Sequence, residues 1–137
     1  MVNARFSLYP LLMTSEARFP LLAGALLAGT GVALGAFGAH GLKALLSPEA
    51  LGWWQTAVQY QMWQAIGLLA LGAAPLERKS GPAGMLAAGT LIFSGSLYAM
   101  ALSGALWLGA ITPFGGVLII AGWAWLAWRL AKAPALP

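Results

Sequence analysis

Four apolar segments constrain this chain more than any other feature. They cover residues 20–39, 56–74, 84–102 and 113–130. Each is close to the roughly 20 residues an α-helix needs to cross a hydrocarbon core about 30 Å thick. Helices alone suit them, because lipid offers the backbone no hydrogen-bond partners and the period-two alternation of a barrel strand is missing. Composition agrees: 61% of residues are hydrophobic and 7% are charged, against about 25% charged in an ordinary soluble domain. So little polar surface cannot cover a core in water. The sequence therefore predicts an all-α integral membrane bundle of four transmembrane helices, a multi-pass protein whose solvent is the lipid bilayer. Residues 1–18 read as an N-terminal extension, with Met13 as a second candidate start. Residues 19–131 read as one domain and 132–137 as a tail.

Prolines punctuate the segments at Pro20, Pro48, Pro82 and Pro113. Proline suits the first helical position, where its missing N–H would lack a partner anyway. Ser47 and Thr112 precede two of them and are predicted N-caps. Glu49 falls in the first turn of the second helix, where negative charge is favourable. With four spans, Arg5, Arg18, Arg78, Lys79, Arg129 and Lys132 share one side, and Lys43 stands alone on the other. Cytoplasmic loops collect Lys and Arg, which predicts cytoplasmic N- and C-termini in the bacterial inner membrane. Trp123, Trp125 and Trp128 fall near the inner end of the fourth helix, and Trp53, Trp54 and Trp107 near the outer face. That distribution predicts interfacial anchoring belts, with a ligand-stacking box as the alternative.

Several function classes lose support at once. The formal charge of +4 is scattered and forms no basic tract, so nucleic-acid binding has no electrostatic footprint. The absence of cysteine removes disulfides, thiolate metal sites and iron–sulfur clusters. One histidine and three acidic residues make an internal metal cage improbable, and no cofactor is expected.

Two helix faces carry information. On the first helix, Gly24, Ala28, Gly31, Gly35 and Gly38 are spaced by four, three, four and three, which puts them on one packing stripe. Small residues let helix backbones approach closely in membranes; the stripe predicts a neighbouring helix, in the same chain or in a second copy. On the second helix, Gln55, Thr56, Gln59, Tyr60, Trp63 and Gln64 fall within about half the circumference. Gln61 lies off this arc, which suggests contact with a partner or with headgroups. Thr90, Ser94 and Tyr98 form an i, i+4, i+8 stripe on the third helix, and Ser96 lies elsewhere. Polar groups at such depth face a bundle interior. They either hydrogen-bond the helices together or line a polar cavity or solute path.

His40 is the sole histidine and ends the first apolar segment. Its unperturbed pKa near 6.5 suits proton handling, but a catalytic base needs an orienting partner and a nucleophile. Glu49 and Ser47 are the nearest polar groups in sequence, and neither completes such a set. The residue reads as a hydrogen-bonded interfacial anchor, with a ligand or base as the alternative.

Four ordered blocks then carry a resemblance. GAFGAHGLK at 35–43 resembles the hallmark of the YgdD-like family of small membrane proteins, also termed domain of unknown function 423 and related to eukaryotic transmembrane protein 256. WQTAVQYQMWQAIGLL at 54–69 resembles its second-helix motif and FSGSLY at 93–98 its third. ITPFGG at 111–116, followed by Gly122 and Trp123, resembles the opening of its fourth helix. The resemblance implies four membrane helices and no established activity. The family commonly carries histidine after an aromatic in the second-helix motif, whereas Trp63-Gln64 stands there in this chain, so a cofactor held between two histidines is not expected. Three function classes follow. The first is a non-catalytic interaction or accessory module, as a homo-oligomer or part of a larger membrane complex. The second is a small transporter or channel for a neutral or weakly charged solute. The third, and weakest, is an intramembrane enzyme using His40.

Overall fold

The computed structural model describes residues 14–134. Within them the chain forms four long helices: α1 (Ser15–His40), α2 (Pro48–Ala73), α3 (Ser80–Ser103) and α4 (Thr112–Ala131). A short 3₁₀ segment, Leu106–Ala110, leads into α4. Each apolar segment therefore becomes one helix. The possible start at Met13 and most of the N-terminal extension lie outside the described residues.

The caps refine the predicted boundaries. Ser47 caps α2 as expected: its Oγ accepts from the Ala50 N–H at 3.1 Å, with Pro48 at the first helical position and Glu49 in the first turn. At α1 the proline reading needs correction. Thr14 is the N-cap, accepting from the Ala17 N–H at 3.2 Å, and Pro20 sits inside the helix. A side-chain cap six residues upstream starts the helix ahead of the proline, which then lacks the N–H for its own backbone bond. Thr112 is likewise not a cap but the first residue of α4; its hydroxyl pairs with Ser96 Oγ at 2.7 Å instead, which ties α4 to α3. Pro82 is the third residue of α3, still within the turn whose N–H groups lack helical partners. Gly104 ends α3 with a φ of 71°, a left-handed conformation that glycine adopts without steric cost.

α1 packs on α2, α2 on α3 and α3 on α4, with a minor contact between α1 and α3. The central pair is thus α2 and α3, flanked by α1 and α4, whose remaining faces are exposed apolar surface. Leu68, Leu71, Leu86, Ile119 and Leu126 form one buried cluster among α2, α3 and α4. Leu42, Ala50, Trp54 and Ala101 form another at the opposite end.

Glycines set both outer seams. A Cβ on Gly24 would meet the backbone of Ala65 and Leu69, one on Gly31 the Met62 thioether, one on Gly35 Val58, and one on Gly38 the Trp54 ring. Ala28 is half-buried between them. The predicted stripe therefore packs on α2 of the same chain. A second close approach, unmarked by any long stripe, joins Gly89 of α3 to Gly115 of α4.

Charged groups gather where α1 begins, α2 joins α3 and α4 ends. Glu16 Oε2 accepts from the Arg78 N–H at 2.7 Å. The Arg129 guanidinium donates to the carbonyls of Arg78 and Glu77, both at 2.6 Å. Lys79, only 4% exposed, donates from Nζ to the carbonyls of Gly72 and Ala74 and so closes the C-terminus of α2.

Candidate functional site

The polar side chains of α2 and α3 form several separate hydrogen-bonded groups. The largest centres on Gln61, which is buried. Its Nε2 donates to the Leu27 carbonyl at 2.8 Å and to Thr30 Oγ1 at 2.9 Å. Its Oε1 accepts from the Tyr98 hydroxyl at 2.8 Å. One carboxamide thus links α1, α2 and α3. This corrects the expectation that Gln61 contacts a partner or headgroups. The arc drawn through the other polar residues pointed elsewhere, but burial on α2 follows Ala50, Trp54, Ala57 and Gln61, spaced four, three and four. That stripe was the signal for Gln61, and the polar count obscured it.

Gln64, one turn further along the same buried stripe, reaches α4 instead: its Oε1 accepts from Trp123 Nε1 at 2.9 Å. Ser94 donates across the α2–α3 seam to the Ala57 carbonyl at 2.8 Å. Thr90 donates within α3 to the Leu86 carbonyl at 2.6 Å. Among the described residues, every buried side-chain nitrogen and oxygen has a partner. Thr30, Gln61, Thr90, Ser94 and Tyr98 line a groove of about 220 Å³ between α1, α2 and α3. Their hydroxyl hydrogens are already committed, to the Leu26 carbonyl for Thr30 and to the acceptors above for the others. What the groove offers is lone pairs on oxygen, not an activated nucleophile.

The other candidate residues lie outside this interior. Gln55 and Gln59 are exposed. Tyr60 is half-buried, with its ring against Trp63 and Phe93 at centroid separations of 5.0 and 4.6 Å. Gln59, Tyr60 and Gln64 therefore do not share one path through the bundle. His40, the last residue of α1, is exposed, and among the described residues its side chain makes no hydrogen bond. The anchor reading is corrected to that extent. Trp54 is likewise not an interfacial anchor: it is 3% exposed, donates to the Leu34 carbonyl at 2.8 Å and packs edge-on against Tyr98 at 4.6 Å. Trp123 combines an exposed ring edge with its bond to Gln64, whereas Trp125 and Trp128 remain exposed. Lys132 stands over the Trp128 ring at 4.3 Å.

Fold and site together define a small helical membrane protein whose polar interior holds helices to one another. Among the described residues, three helices are long and apolar enough to cross a membrane. A family described as "Protein of unknown function (DUF423)" matches residues 34–116, from the last two turns of α1 to the start of α4. The UPF0382 inner membrane protein YgdD of Escherichia coli is 43% identical over 116 residues, covering 82% of this chain and 87% of the relative. The UPF0382 membrane protein SH2409 of Staphylococcus haemolyticus is 45% identical over 106 residues, covering 75% of this chain and 87% of the relative. No solved structure matches. The chain belongs to the DUF423 family, whose members among these relatives are UPF0382 membrane proteins of unknown function.

Proposed function

We propose that this protein is a non-catalytic interaction module of the bacterial inner membrane, self-associating or accessory to a larger complex. One observation carries the reading. The side chains best suited to chemistry, Gln61, Gln64, Ser94 and Tyr98, are engaged in bonds between helices. Among the described residues, no nucleophile–base pair is assembled around His40. Gln59 is exposed on the outside of the helix, whereas Gln64 is buried and bonded to Trp123, which removes the main support for a solute path along Gln59, Tyr60 and Gln64.

In this reading all four helices span the membrane. α2 has 26 residues, the same length as α1. Its lower hydropathy comes partly from Gln61 and Gln64, both turned inward. Both termini are cytoplasmic. The contacts among Glu16, Arg78 and Arg129 gather one end of every helix-bearing segment that carries cations, and Lys43 lies at the other end.

The test is isolation of the intact chain in mild detergent and lipid nanodiscs. A specific partner or a defined oligomer is expected, and a lone monomer under all conditions would refute the module. A reporter fused to the C-terminus should read cytoplasmic, weakened by Arg78→Glu with Lys79→Glu; a periplasmic reading in the wild type would overturn the orientation.

A further inference from the structure

Where α1 begins and α2 ends, a cavity of about 290 Å³ is walled by Thr14, Glu16, Ala74, Leu76, Glu77 and Lys79. Its charges are mixed. Lys79 is 4% exposed, and its Nζ donates to the carbonyls of Gly72 and Ala74 at 2.7 and 2.8 Å. An ammonium has three N–H donors, so one remains uncommitted. Among the described residues both of its hydrogen bonds go to carbonyls and none to a carboxylate. A buried charge without a counter-charge is strongly unfavourable. Glu16 commits only Oε2, to the Arg78 N–H. Glu77 is exposed; its carbonyl accepts from Arg129, and among the described residues its carboxylate makes no hydrogen bond.

The wall between these groups is held in place. Arg78 takes a left-handed backbone, with a φ of 50°. Glu16 holds its N–H and Arg129 holds its carbonyl. Such a conformation is strained for a residue with a side chain and persists only where its surroundings fix it. Depth adds a second constraint. Glu16 lies four residues before the apolar run that starts at residue 20, about 6 Å by helical rise. Residues 75–79 follow directly on the run that ends at residue 74. Headgroups occupy about 5–7 Å beyond each face of the hydrocarbon core. With α1 and α2 as membrane spans, the cavity lies among lipid headgroups.

We propose that this cavity binds the headgroup of a phosphoethanolamine lipid, with its phosphate at Lys79 and its primary ammonium at Glu16 and Glu77. Charge selects that occupant. A lone anion entering the cavity meets two carboxylates, and a lone cation meets the buried ammonium of Lys79. A zwitterion with one charge at each end satisfies both, through charge-assisted hydrogen bonds. The primary ammonium carries N–H donors for the carboxylates, which a quaternary choline lacks. A serine headgroup brings a third carboxylate against Glu16 and Glu77. Ala73 and Pro75 add an apolar wall for the glycerol end of the lipid. The site goes beyond the interaction-module reading and shares with it only α1 and α2 as spans.

The test places the intact chain in nanodiscs of mixed phosphatidylethanolamine, phosphatidylglycerol and phosphatidylcholine and weighs the lipid it retains by native mass spectrometry. Retention of phosphatidylethanolamine ahead of the other two is expected. Glu77→Gln should lower that preference roughly tenfold, the loss of one hydrogen bond between charged groups. Its side chain is exposed, so the fold stays intact. Glu16→Gln should lower the preference as well, with its amide oxygen still able to accept from the Arg78 N–H. Lys43→Gln, exposed at the other end of the bundle, should leave it unchanged. Equal retention of the three lipids, or a preference that survives both glutamine substitutions, would overturn the site. Binding of soluble phosphoethanolamine as tight as that of the lipid would also overturn it, since the cavity would not then select a membrane lipid. A monomeric, partner-free wild type that keeps the preference would refute the module and support the site. A defined oligomer without lipid preference would do the reverse.

Discussion

Three glycines of α1 should respond differently to one substitution. At Gly24 a new Cβ would lie 2.8 Å from the Ala65 carbonyl oxygen, 2.8 Å from Leu69 Cγ and 2.9 Å from the Leu69 nitrogen. Ordinary contact begins near 3.4 Å, so the shortfall is about half an ångström, and two of the three atoms are backbone. No rotamer change relieves it. α1 must move off α2, and overpacking of this kind costs about 1–3 kcal/mol. At Gly31 the nearest atom is the Met62 sulfur at 2.5 Å, the end of a flexible side chain that can swing aside. Gly31→Ala should therefore cost less, up to about 1 kcal/mol. At Gly29 nothing lies within 4 Å, and alanine should gain up to about 1 kcal/mol of helix propensity. Reversible unfolding of the three variants in bicelles, followed by steric trapping, measures the order. Gly29→Ala should be at least as stable as wild type, with Gly31→Ala below it and Gly24→Ala lowest. Equal stability of Gly24→Ala and Gly29→Ala would refute the backbone contact between α1 and α2.

The same assay reaches the other seams. Gly115→Ala, whose Cβ would meet the Gly89 carbonyl oxygen at 2.6 Å, should destabilise the α3–α4 pair by about 2–3 kcal/mol, while Gly95→Ala, with nothing within 4 Å, should not. Gln61→Leu removes three hydrogen bonds between helices and should cost about 2 kcal/mol, roughly three times the effect of Gln64→Leu, which removes one; equal losses would deny Gln61 its central place. Lys79→Met leaves the carbonyls of Gly72 and Ala74 without their charged donor and should cost about 1.5–3 kcal/mol. Arg18→Met, at an exposed residue of α1, serves as the comparison and should change stability little.

Much of this protein is legible without coordinates. Helix number, approximate bounds, the α1 packing stripe and the family all follow from local pattern. Apolar run length, proline position and residue spacing act within one segment, so one segment suffices to read them. The cap at Ser47 is local in the same sense. Thr14 was legible in principle, as a threonine two residues ahead of Glu16. The apolar run starting near Pro20 masked it, because hydropathy marks where a helix can enter lipid and not where its first hydrogen bond forms.

The polar residues of α2 show where local pattern stops. Spacing places Gln55, Gln59, Gln61 and Gln64 around the helix correctly, yet it does not say which side meets α1, α3 or α4. With α2 wedged between α1 and α3, Gln61 meets Thr30 and Tyr98, Gln64 meets Trp123, and Gln55 and Gln59 are left outside. A helix period determines the faces of α2, and the burial of each face is a property of its neighbours. That is why the sequence alone determined a family of membrane helices with a glycine seam, and the tertiary arrangement decided which amides hold this chain together and which face outward.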